Sequence, residues 1–236
     1  MMADVPHILK CLKSAWINSK GRGFKISEKI RVKYGLPTRD VNLDAVRKLL
    51  RFQASNPFLM QSRLKAEDLM NSKFSKMRVQ PSEAVFSRHT AAAIRLCIEK
   101  YGFDPDFETT AFFIEKTAIW YERMTSRDPK MGFSYNNMDK YRKAVKDITD
   151  FVEIIDSTII GEKQTEDGGR AQVQRHIILA STGFLDTVVD LLDSGFGFVL
   201  GGRFTSECVE NLFSCVRRRT LNPTGTYNFL KVKMSL

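Results

Sequence analysis

No run of apolar residues in this chain of 236 approaches the roughly 20 needed to cross a bilayer. The longest stretches, such as 195–200, are short, and the opening MMADVPHILK has no hydrophobic region of the signal-peptide kind, so secretion and membrane insertion are not expected. Cysteine and histidine are scarce. The four cysteines (Cys11, Cys97, Cys208, Cys215) form no C-x-x-C pair and the three histidines are His7, His89 and His176, which speaks against a zinc knuckle or a disulfide framework and fits a reduced, intracellular compartment. The phosphate-loop pattern G-x-x-x-x-G-K-[ST] is missing, as are a G-x-S-x-G elbow and a Ser/His/Asp set, and Gly201-Gly202 alone is too little to imply nucleotide binding. With 14 Gly, 7 Pro and no fixed-period repeat, collagen-like, low-complexity and solenoid architectures fall away.

What remains is ordinary globular material, 43% hydrophobic and 27% charged, enough for one large or two small domains. The net charge of +10 is unevenly spread. Residues 1–100 hold 20 Lys and Arg against 8 Asp and Glu, residues 101–200 hold 11 against 17, and residues 201–236 hold 6 against 2. Basic ends around an acidic middle suit a phosphate backbone, because each neutralised phosphate releases condensed counterions. A solvated Lys/Arg-rich surface is the plainer alternative.

Hydrophobic periodicity predicts mostly helix. Leu43, Val46, Leu49 and Leu50 mark a helix over 43–52; Pro81 opens another that runs to about Lys100, with Gly102 as its stop. A third covers 109–126 and is rich in aromatics. The fourth has the most regular stripe, Met138, Tyr141, Val145, Ile148, Val152 and Ile155. The core is expected to include Val85, Phe86, Leu96, Phe112, Ile119, Val145, Ile148 and Val152. The glycine-rich, charged stretch 161–170 reads as an exposed linker. Helix resumes through Leu185, Val188, Val189 and Leu192 to Gly195, a short buried strand follows over 196–200, and a last helix starts near Ser206 with Val209, Leu212, Phe213 and Val216 as its stripe.

On that last helix Glu207 and Glu210 are three residues apart and share a side, which Ser214 and Arg217 continue. Carboxylates so placed can hold Mg²⁺, a hard cation that takes oxygen ligands; solvated glutamates stabilised by the helix dipole are the commoner reading of such spacing. His89, between Val85, Phe86, Ala92 and Ala93, reads as a core histidine and is assigned no role.

The order of several short motifs adds what no single one does. Asp4-Val5-Pro6-His7-Ile8-Leu9-Lys10 resembles the D-x-P-H-x-x-K segment of P-element transposases and the related THAP-domain transposases. Met77-Arg78-Val79 with Ala84 to Ser87 is similar to the family's M-[KR]-V…A-x-x-[FL]-S, Thr110 to Phe113 to its T-A-D-F-F, and Trp120 to Ser126 to its W-F-D-x-x-N-S. Arg203 to Phe213 (RFTSECVENLF) resembles R-x-N-Q-D-x-x-E-x-x-F, and Pro223-Thr224 follows as the family's P-T does.

The resemblance implies a mainly α fold in which a helical GTP-binding-type insertion is flanked by partial RNase H-like α/β segments. Its expected divisions are 1–42 (nuclease segment), 43–160 (insertion), 161–175 (linker) and 176–236 (nuclease segment). It makes Asp4 and Glu210 the second and third catalytic carboxylates, with Glu207 as a further metal ligand. It puts Lys76, Arg78 and Ser87 near phosphate or ribose, and Glu122 and Thr125 near a guanine base. Glu122 stands where the family has Asp and Thr125 where it has Asn, and neither reproduces the original hydrogen-bond geometry, so GTP binding is expected to be weak or absent. The family's first aspartate, its sheet strands and its THAP zinc module would lie upstream of Met1. Hydrolysis by this fold uses two metals clamping nucleophile and leaving group, so the chain alone is expected to be catalytically incompetent. DNA bound without sequence preference, full-length transposase or a second copy are the implied partners, Mg²⁺ the implied metal and the nucleus the implied location. Lys10, Lys13, Arg217 and Arg218 flank the two carboxylates. The alternative is a domesticated or decayed helical module that binds DNA or protein without catalysis.

Overall fold

Polar caps and apolar stripes set the helix boundaries. The computed structural model describes residues 4–19, 23–56, 64–70, 78–160, 171–206 and 215. Helix α1 (Val5–Ile17) begins where Asp4 accepts the His7 N–H, and buries Val5, Ile8, Leu9, Leu12 and Trp16 on one face. A two-residue strand β1 (Phe24–Lys25) leads to α2 (Glu28–Tyr34), capped by Ser27 and ended by Gly35 in the left-handed region. Strand β2 (Asp40–Val41) precedes α3 (Leu43–Ser55), and after it come α4 (Gln80–Val85), α5 (Arg88–Tyr101), α6 (Phe107–Thr125) and α7 (Met138–Asp156). Strand β3 (Ile159–Ile160) and the long helix α8 (Gln172–Asp193) follow.

The strands form one small antiparallel sheet in the order β2-β1-β3, with Phe24 opposite both Val41 and Ile160. Helix α6 is the central post. Its Thr109 hydroxyl donates to Thr38 O (2.8 Å) and its Thr110 Oγ1 accepts the Asn42 N–H (2.9 Å), which fixes the β2 segment against the helix. Its Trp120 indole donates to Ser181 Oγ on α8 (2.9 Å), and Arg123 pairs with Asp147 on α7 (2.9 Å). At the centre Trp16, Phe24, Phe86 and Phe113 pack ring to ring, with Trp16 Nε1 donating to Val41 O (3.0 Å). Val5 of α1, Val41 of β2, Phe113 of α6 and Phe184 of α8 all belong to one hydrophobic cluster.

The mainly α class is observed. Several finer expectations are corrected. The helix expected from Pro81 to Lys100 is two helices, because Phe86 leaves helical geometry to enter the core and Ser87 caps a new start. That break turns His89 outward, so it is an exposed residue of the first turn of α5, not a core histidine. Leu96 is 39% exposed, and Ile119, Val145 and Val152 are half-buried, whereas Val85, Phe86, Phe112 and Ile148 are in the core. On α7 the buried line is Ala144, Ile148, Phe151 and Ile155, and Met138 at its head is exposed. The expected strand over 196–200 is reduced to one antiparallel bridge, Phe133 with Val199, leaving Phe196 and Phe198 exposed. Residues 161–170 and the stripe Val209, Leu212, Phe213 and Val216 lie outside the described residues.

Candidate functional site

Asp4 is held by backbone donors from opposite ends of the chain. Its Oδ2 accepts the His7 N–H (3.3 Å) as the cap of α1, and its Oδ1 accepts the Ser206 N–H (3.0 Å). The fold thus brings Asp4 against the residue that directly precedes Glu207 in sequence. Glu207 and Glu210 themselves lie outside the described residues, as do Arg217 and Arg218. A carboxylate has about four lone-pair positions, so two N–H bonds leave Asp4 able to meet a cation. Among the described residues no group of three His, Cys, Asp or Glu side chains is placed to hold a metal ion. The described donor set therefore does not by itself fit a two-metal centre.

Of the two lysines beside Asp4, Lys10 is half-buried and Lys13 is 2% exposed. Lys13 lies on the inner face of α1, donates from Nζ to Asp68 O (3.0 Å), and burial pushes its pKa down. It is not available to a phosphate backbone, which corrects its assignment as a DNA-facing cation.

The nucleotide candidates fall at one end of the antiparallel α5–α6 pair. Ser87 accepts the Thr90 N–H (3.1 Å) as the cap of α5, and its hydroxyl also lies 3.2 Å from Ala84 O. Glu122 is bound by its neighbour Arg88 through both carboxylate oxygens (Nε–Oε1 3.1 Å, Nη2–Oε2 2.6 Å). Thr125 turns its hydroxyl back to Tyr121 O (2.7 Å), and the Tyr121 phenol donates to Glu83 (2.8 Å). Ser87 and Glu122 are therefore neighbours through Arg88, while Arg78 is exposed and Lys76 lies outside the described residues. Ser87, Glu122 and Thr125 each make a bond within the helix pair. Gly201-Gly202 has a packing role instead. A Cβ on Gly201 would collide with the carbonyl of Arg123, and the Gly202 N–H donates to Ser126 O (2.9 Å), so the pair seats under the end of α6.

Sequence reasoning missed Arg88, whose partner is 34 residues away, and a polar cleft of about 370 Å³ lined by Lys25, Thr38, Asp40, Asn42, Asp104, Asp106 and Phe107. Thr38, Asp40 and Asn42 alternate along one segment and Asp104 to Phe107 lie together in another, but no local spacing joins the two segments to each other or to Lys25. None of the candidate residues lines the cleft.

No protein-family model matches the sequence, and no curated protein sequence does. Among solved structures, the Drosophila P element transposase strand transfer complex is similar, with a TM-score of 0.73 and 17% identity over 99% of this chain. The match covers 50% of that chain, so this protein spans about half the length of its structural neighbour. At this identity it is a likeness of fold: the chain has a fold similar to about half of that transposase chain.

Proposed function

We propose that this chain is a transposase-derived polypeptide that combines the helical GTP-binding-type insertion with part of an RNase H-like nuclease, and that it associates with DNA through phosphate contacts. The observation that carries this reading is the fold likeness across 99% of the chain, together with motifs occurring in the same order as in that family. The charge distribution supports the DNA part, since the basic first 100 residues suit a polyanion. Residues 1–236 by themselves should neither cut nor join strands: among them the resemblance supplies only Asp4 and Glu210 of three catalytic carboxylates, whereas clamping both reacting oxygens takes two metals. A segment bearing the first aspartate would complete the site, with Mg²⁺ as the ion, DNA and full-length transposase or a second copy as partners, and the nucleus as the compartment.

Purified protein should bind duplex DNA with little sequence preference, and its affinity should fall steeply between low and physiological salt. Salt-independent affinity overturns the DNA reading. Mg²⁺-dependent nicking by the chain alone, abolished in both Asp4→Ala and Glu210→Ala, overturns the claim of incompetence.

One observation favours the second reading, a non-catalytic helical module. The side chains of Ser87, Glu122 and Thr125 are engaged within the helix pair, which supports weak GTP binding or none. Calorimetry should show no tight guanine-nucleotide complex. A tight, Mg²⁺-dependent and guanine-selective one overturns it.

A further inference from the structure

We infer that His7 and Cys11 form an open, two-ligand site on the outer face of α1 for a divalent cation of the zinc class. This goes beyond the nuclease reading, since Mg²⁺ takes oxygen ligands whereas an imidazole with a thiolate selects a softer ion.

The two residues are one helical turn apart in α1, the spacing at which two ligands share a face. Val5, Ile8, Leu9, Leu12 and Trp16 anchor the opposite face in the core, so the backbone beneath the pair is fixed. His7 is exposed, and Cys11, a free cysteine, is half-buried against the core. The His7 Nε2 and Cys11 Sγ atoms are 3.5 Å apart. A tetrahedral zinc ion with bonds of about 2.0 Å to nitrogen and about 2.3 Å to sulfur holds those two atoms about 3.5 Å apart as well. The separation therefore needs no adjustment when an ion arrives.

Ligand chemistry, not the local field, selects the ion. Asp4 lies on the same side of α1 one turn before His7, Lys10 lies between His7 and Cys11 in sequence, and Lys13 is turned inward, so one carboxylate and one amine offset each other around the pair. Among the described residues no third His, Cys, Asp or Glu side chain completes a metal-holding group, which leaves the other positions of the ion to water.

Without an ion the pair is joined by a hydrogen bond between thiol and imidazole. Binding replaces the thiol proton: the Cys11 S–H bond breaks, a sulfur–metal bond forms, the proton passes to solvent, and neutral His7 gives its Nε2 lone pair to the ion. Burial pushes the Cys11 thiol pKa up, against a smaller opposite pull from Lys10, so affinity should climb with pH through the neutral range.

The test is titration of the full chain with Co²⁺ under a non-chelating reductant, because a cobalt–thiolate bond gives a charge-transfer band in the near ultraviolet. The band should appear, be displaced by Zn²⁺ and be untouched by excess Mg²⁺. His7→Ala, at an exposed position, should leave the metal-free melting temperature unchanged and weaken Co²⁺ binding by about tenfold or more. Cys11→Ser should remove the band, whereas Cys97→Ser, Cys208→Ser and Cys215→Ser should each retain it. Absence of the band in the wild type, its survival in Cys11→Ser, or unchanged affinity in His7→Ala overturns the inference. So does its loss in any of the other three cysteine variants or in Glu210→Ala, since that assigns the ion to a different thiol or to the carboxylates.

Discussion

Asp4 serves two backbone donors with one carboxylate, and this makes its structural role separable from any catalytic one. Removing a helix cap costs about 1 kcal/mol, and the Ser206 N–H would lose its acceptor as well. Urea unfolding in EDTA should therefore show Asp4→Ala less stable by about 1–2 kcal/mol, with Asp4→Asn between it and wild type because the amide keeps one acceptor oxygen. A carboxylate whose task is to hold a metal would give the opposite result, no loss without metal. Glu153 makes a second prediction. Lys33 (2.6 Å) and then Lys29 (3.0 Å) hold its carboxyl below the usual range. A depressed carboxylate pKa contributes stability that is complete above about pH 4.3 and is lost as pH falls through the lowered value. Glu153→Gln should accordingly narrow its stability gap to wild type as the pH is lowered below about 4, measured by thermal melting across acid pH. A gap that is constant with pH would show the two lysine bonds to be without energetic effect.

At the scale of elements, the α4–α5 break and the Gly201-Gly202 seat show how packing overrides local pattern. Apolar spacing continues through Val85 and Phe86 toward Ala92, so one helix is the natural reading; yet Phe86 reaches the Trp16 and Phe113 rings only if the chain breaks there, and Ser87 compensates by capping α5. Both the serine cap and the left-handed Gly102 stop are locally encoded. The glycine pair is not. Its need for small residues comes from the carbonyls that end α6, about 80 residues earlier in the chain. Gly201→Ala should cost about 1–3 kcal/mol by overpacking, whereas Gly197→Ala, whose Cβ would meet open space, should stay within about 0.5 kcal/mol. Comparable losses at both positions in denaturant titration would mean that the close approach to α6 is not what constrains Gly201.

The molecule as a whole depends on the aromatic cluster where α1, the small sheet, α4 and α6 meet. Trp16→Ala should cost about 3–5 kcal/mol, with Val41 O losing its donor besides, and because one cluster spans α1 to α8 the loss should appear as a single shifted transition by circular dichroism and fluorescence. Two separate transitions would show that α1 and α8 fold apart from the helices between them. Much of this was legible in the amino-acid order. The 3-4 spacing of apolar residues determined where α3, α6 and α7 lie to within a few residues and where α8 ends, though not that α8 starts as early as Gln172, and Asp4, Ser27 and Ser87 caps with Gly35 and Gly102 stops are set by bonds that span at most a few residues. Short motifs in sequence likewise pointed to the fold that the Drosophila structure shares. Only the tertiary structure decided which side of a stripe is buried, as at Leu96 and Met138, and which polar groups are already spent, as with Arg88 on Glu122 and Ser206 on Asp4 across 202 residues. The physical reason is range. Caps and periodicity act over one or two turns, where the chain itself supplies the partner, whereas burial and ion pairing are fixed by elements that the sequence brings together only after every helix has packed.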